Sequence, residues 1–191
     1  MRTLLTALIL LASPVAAQDL HACKALHETQ NIKSPFTVSG PVIVEKPALL
    51  LVGKAGVFTV DRANLGVDAL WSDFGGHRRW IKDMKSMSEV GVCYDGDDVG
   101  NFHYFAGTEV TGEVPPPDGF ERMTVPAGTY AVYTQQGLAW TIGNARWRIH
   151  QELLPEGYAL ADAPELEVYP EDYKPRTADA TMEIWIPVVA E

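Results

Sequence analysis

The chain has 191 residues, 47% of them hydrophobic, with 25 acidic against 15 basic side chains and a formal charge of −10. Such an acidic surface repels phosphate backbones, and no basic cluster reverses it locally, which argues against nucleic acid as a partner. The length suits one domain with a sizeable core, or two small halves packed together.

Met1-Arg2 supplies a short basic start, Thr3 to Ala12 an apolar run, and Ser13-Pro14-Val15-Ala16-Ala17 a break of small residues. This pattern reads as a cleavable secretory signal over residues 1–17, cut before Gln18, which implies a periplasmic or secreted protein. The apolar run is shorter than the ~20 residues that span a bilayer, and no later stretch qualifies as a membrane span. A leader, residues 18–41, follows as a short helix or extended segment. Cys23 and Cys93 are either a disulfide tying this leader to the domain, or one buried and one incidental thiol; the sequence leaves both open. His21, Cys23 and His27 match no firm zinc spacing, so no metal site is assigned. Nucleophile elbow, phosphate loop and Gly-rich dinucleotide turn are all missing, and no cofactor is expected.

From Val42 onward the chain repeats itself at about 80 residues. Pro47-Ala48 opens the apolar strand Leu49 to Gly53, and Pro126-Ala127 opens Gly128 to Tyr133. Each strand precedes a helical stretch with a tryptophan, Leu65 to Phe74 around Trp71 and Ile142 to Leu154 around Trp147. Gly75-Gly76 is expected to interrupt the first helix, with His77 to Met84 resuming as a second piece. Two more strands then close each half: Val90 to Tyr94 with Phe102 to Val110, and Leu166 to Tyr169 with Met182 to Val188. The fold class is α+β, a tandem pair of βαββ units with pseudo-twofold symmetry and antiparallel sheets around a central cleft. Its boundaries are 42–190, split into halves 42–111 and 120–190 by the Gly112 to Gly119 linker.

Alternation along the last strand puts Met182, Ile184, Ile186 and Val188 on one side and Glu183 with Trp185 on the other. A carboxylate beside an indole is the kind of pair that recognises organic cations. Symmetry sets His103 opposite Glu183 and Phe105 opposite Trp185, with Tyr94, Tyr130, Tyr133 and Tyr169 as walls of the same cleft. The run Glu165, Glu167, Glu171 and Asp172 reads as a solvated face rather than a calcium loop.

Four ordered segments carry a resemblance: Phe105-Ala106-Gly107-Thr108-Glu109-Val110, Val125 to Tyr133, Trp147 with Leu154-Pro155-Glu156-Gly157-Tyr158, and Met182 to Val188. Together they resemble the GyrI-like, AraC-type effector-binding superfamily. The resemblance implies paired βαββ units around a ligand cleft, with a last-strand glutamate, here Glu183, facing cationic aromatic ligands. Its members include drug-sensing domains of regulators, a gyrase inhibitor and hydrolases of small electrophiles. No helix-turn-helix module accompanies the domain here. Two functions stay open: an exported binder of an amphipathic, cationic or aromatic small molecule, and a hydrolase with Glu183 as base or nucleophile and Tyr133 or His103 as proton donor. A protein partner has no feature of its own.

Overall fold

The computed structural model describes residues 20–23, 33–112 and 115–191. The proposed signal, leader residues 18, 19 and 24–32, and two linker residues lie outside that set. Among the described residues, nine antiparallel strands and two α-helices make up the domain. In chain order they are β1 (Phe36–Lys46), β2 (Leu49–Thr59), α1 (Ala63–His77), β3 (Glu89–Tyr94), β4 (Asn101–Glu109), β5 (Glu121–Val125), β6 (Gly128–Gly137), α2 (Ile142–Arg148), β7 (Tyr158–Leu160), β8 (Glu165–Tyr169) and β9 (Thr181–Ala190). No helix among the described residues is long and apolar enough to cross a membrane.

The strands form one sheet in the order β1-β6-β9-β8-β3-β4-β2-β5, with β7 added beside β9. Each half therefore holds more than a βαββ unit. Each begins with an extra strand that pairs with the other half: β1 lies against β6, and β5 against β2. β1 starts at Phe36, inside the segment expected to be leader, because Phe36, Val38 and Ile43 pack onto the second helix's core. Its one register shift falls between Ser39 and Val42, where Pro41 has no N–H to give to a ladder.

The halves meet where β3 runs beside β8, pairing Val90 with Val168 and Val92 with Leu166. On one face of the sheet, Ala131, Tyr133, Ile184 and Ile186 pack under α2, while Val52, Tyr104 and Ala106 pack under α1. The first helix passes through Gly75-Gly76 without a break and ends in a tight turn, Arg78–Trp80. Two glycines cost about 1 kcal/mol each relative to alanine, less than the burial of Phe74 recovers on the sheet. The second helix continues past Arg148 into a turn of wider, π-type spacing, Ile149–Leu153.

Gly91 sits at the centre of the seam between halves, and its lack of a side chain leaves room for Tyr104 and Glu167 to meet above it. The Tyr104 hydroxyl donates to Glu167 at 2.5 Å, and the Tyr169 hydroxyl to the same oxygen at 2.6 Å. A Cβ on Gly91 would stand 2.1 Å from the Tyr104 oxygen and 3.0 Å from that carboxylate. Gly91→Ala is expected to lower stability by about 1–3 kcal/mol, the usual range for overpacking. Urea unfolding checks it; an unchanged midpoint would show the seam to be softer than its packing implies.

Candidate functional site

Among the described residues no helix covers the second face of the sheet, yet its centre is closed to water. Leu51, Val92, Phe105 and Leu166 are fully buried there, in one cluster with Tyr94, Met123, Val125, Tyr130, Trp185 and Leu20. These side chains come from strands near both edges, so one apolar cluster runs across the face. The register explains the order of the row: Ala55, Phe105, Val92, Leu166, Trp185 and Val132 are successive ladder partners on one face.

Glu183 stands one step along β9 from this row, between Val168 and Thr134. It is exposed, whereas Trp185 is 8% exposed. The indole N–H of Trp185 donates to a Glu183 oxygen at 2.7 Å, fixing the carboxylate at the rim of the aromatic floor. Tyr130 flanks the indole at 5.9 Å between ring centres, and the Lys46 ammonium lies 3.9 Å above the indole. At the other end Tyr94 and His103 meet edge to face at 5.3 Å. Burial pushes the Tyr130 phenol up to about 12. Burial, with Glu121 and Asp95 adding to it, does the same to Tyr94. Both present neutral hydroxyls at ordinary pH.

Six of the eight expected wall residues thus share this face: Glu183, Trp185, His103, Phe105, Tyr94 and Tyr130. Tyr133 and Tyr169 do not. Alternation along β6 and β8 turns them under the helices, where Tyr133 donates to the Leu153 carbonyl at 2.6 Å and Tyr169 to Glu167. Tyr133 therefore cannot serve as a proton donor at Glu183. The symmetry pairing also shifts by two residues. Counting equally far from Pro47 and Pro126 reaches Ala55 and Thr134, whose ladder partners are Phe105 and Glu183. Phe105 is the counterpart of Glu183, and Gly107 that of Trp185.

Glu121 was not expected at this face, yet it follows from the alternation of Glu121, Met123 and Val125 along β5, the last two buried in the cluster. Lys46 carries no such local signal, because the leader reading covers its strand up to Pro41 and its partner strand is distant in sequence. Cys23 and Cys93 are joined, their Cα atoms 5.3 Å apart, so Cys23 is no thiolate ligand for a metal; His27 lies outside the described residues.

A second polar centre lies on the helix side and corrects the solvated reading of Glu165 and Glu167, which are both buried. Arg146 meets Glu165 through Nε at 2.9 Å and Nη2 at 2.7 Å, and His150 approaches the other oxygen at 2.9 Å. Burial alone would raise the Glu165 carboxyl; the charges of Arg146 and His150 outweigh it and hold it below the ordinary value. An adjacent hollow of about 550 Å³, bordered by His150, Gln151, Asp162 and Glu165, thus meets charges that already have partners.

The family model described as "GyrI-like small molecule binding domain" matches residues 40–189. The transcriptional regulator BrlR of Pseudomonas aeruginosa is 33% identical over 150 residues, covering 76% of this chain and 54% of BrlR. This chain therefore aligns with about half the length of that relative. Among solved structures, an integron cassette protein of Vibrio cholerae superposes with a TM-score of 0.58 at 18% identity, over 81% of this chain and 99% of the other. SAV2435, solved bound to tetraphenylphosphonium, superposes with a TM-score of 0.61 at 17% identity, over 79% and 94%. At such identities these structures speak for the fold.

The depressed Glu165 carboxyl has a sign that can be tested. Its stabilisation is complete above the ordinary glutamate value of ~4.3 and is lost as pH falls through the lower folded value. Glu165→Gln should flatten the acid limb of stability against pH and cost about 3–5 kcal/mol near neutrality, since Arg146 is left buried without its partner. Urea midpoints between pH 3 and 7 measure both.

Proposed function

The chain belongs to the GyrI-like small molecule binding domain family, and from that premise we propose that it is an exported receptor for an amphipathic, cationic aromatic small molecule, held on the helix-free face of the sheet. The observation that carries this reading is the carboxylate of Glu183, pinned by the Trp185 indole at the edge of a buried aromatic and aliphatic cluster. An apolar aromatic cation lodged there would pack against Trp185 and Tyr130 and bring its charge to Glu183. Tetraphenylphosphonium, the ligand in the SAV2435 structure, has that chemistry and is the natural first probe.

The two contributions differ in size and purpose. Apolar burial supplies affinity at about 25 cal/mol per Å² of covered surface before ordering costs. Glu183 is exposed, so its charge contributes only about 0–1 kcal/mol and acts as a discriminator between cationic and neutral ligands. Broad walls of Trp, Tyr, Phe and Val accept varied shapes, giving modest affinity and wide tolerance.

Export is supported by the basic start and apolar run ahead of Gln18, and by a disulfide of the kind that persists in oxidising compartments. Fractionation of the producing cell followed by mass spectrometry is expected to find the mature protein outside the cytoplasm with Gln18 first. A cytoplasmic protein retaining residues 1–17 would refute this.

For the site itself, Glu183→Gln should weaken tetraphenylphosphonium about three- to five-fold. It should leave a neutral triphenyl compound of similar shape nearly unaffected. Fluorescence titration reads both, and equal losses for the two ligands would contradict the charge role.

A further inference from the structure

The proposed ligand seat is not bare: the chain's own groups stand where a ligand's parts would go. Lys46, half-buried at the end of β1, holds its ammonium 3.9 Å over the Trp185 ring, the position an organic cation would take. Leu20 lies at 9% exposure in the same cluster as Phe105, Leu166 and Trp185, which is the apolar part of the seat. The segment that carries Leu20 is held there by four hydrogen bonds at His21 and Ala22, two of them to aspartate side chains, and by a covalent bond close by. Asp95 and Gly96 N–H groups donate to the carbonyls of His21 and Ala22 at 3.1 and 3.0 Å. The His21 N–H donates to Asp95 at 2.8 Å, and the Ala22 N–H to Asp162 at 2.9 Å. One residue further, Cys23 is bonded to Cys93.

Resting on the binding function proposed above, we infer that Lys46 and the tethered Leu20 act as an internal competitor that sets the threshold and selectivity of the cleft. An incoming ligand must displace the ammonium from the indole and the leucine from the cluster. A ligand with only one of the two features displaces only one of the two groups, so the device favours molecules that combine a cation with a large apolar body. The disulfide keeps Leu20 at a high local concentration near the seat, because a link three residues away shortens the span over which it can wander. Lys46 needs no such link, since its strand is fixed in the ladder against β6.

The test is titration of the full chain with tetraphenylphosphonium, comparing wild type with Lys46→Met, Lys46→Arg, Leu20→Ala and the paired Cys23→Ser, Cys93→Ser variant. Methionine keeps most of the apolar stem and removes the charge, so Lys46→Met should bind about five- to twenty-fold tighter. Lys46→Arg retains a cation over the ring and should stay near wild type, a distinction that a loss of packing would not produce. Leu20→Ala and the serine pair should also tighten binding, each by about three-fold or more. The serine pair keeps the inference testable if Leu20→Ala fails to fold. Equal or weaker binding by the folded Lys46→Met and leader variants, with Glu183→Gln still impaired, overturns the internal competitor and leaves the binding site standing. No binding by any variant overturns both.

Discussion

The fold turns on the seam where β3 and β8 run side by side. Five residue pairs, from Glu89 with Tyr169 to Cys93 with Glu165, make two small half-sheets into one continuous surface. Each face of that seam is sealed differently. Toward the helices, Tyr104 of one half and Tyr169 of the other converge on Glu167, and Trp71 donates its indole N–H to Tyr104 at 3.2 Å. On the opposite face Val90, Val92, Leu166 and Val168 give an apolar join. Without this seam Phe105 and Trp185 would belong to separate surfaces, and neither would have the neighbours that bury it.

The two carboxylates taken out of water on the helix side both come with partners. Glu165 is met by Arg146 and His150, and Glu167 by two phenols. Glu183 is exposed instead, so its carboxylate stays available to a molecule arriving from solvent. That contrast separates acids that maintain the structure from the one proposed to meet a cation, although all three lie on adjacent strands at the same seam region.

Much of the architecture was legible in the residues. The duplicated Pro-Ala openings, the tryptophan-bearing helices and the alternation in β9 gave the two halves and the correct facing of Glu183 and Trp185. Less legible was everything decided between strands distant in sequence. β1 and β5 exchange places across the halves, which no local pattern announces, so Lys46 and Glu121 went unassigned. The opposite facing of Tyr133 and Tyr169 was available from parity along β6 and β8, but aromatic type was allowed to outweigh it. Counting the repeat from the last strand rather than from the ladders misplaced His103 by two positions. Glu165 and Glu167 read as solvated because Arg146, the partner of the first, lies on a helix, and Tyr104, a partner of the second, on a distant strand; only packing brings them over β8.

The crossed outer strands have a further meaning for how such a protein can change. The ammonium above the indole comes from the first copy of the repeat, while the indole and its acidic neighbour come from the second. Neither copy owns the proposed recognition surface. A substitution inherited by one half is therefore read by the other, and the two copies are bound to diverge as a pair rather than as independent modules.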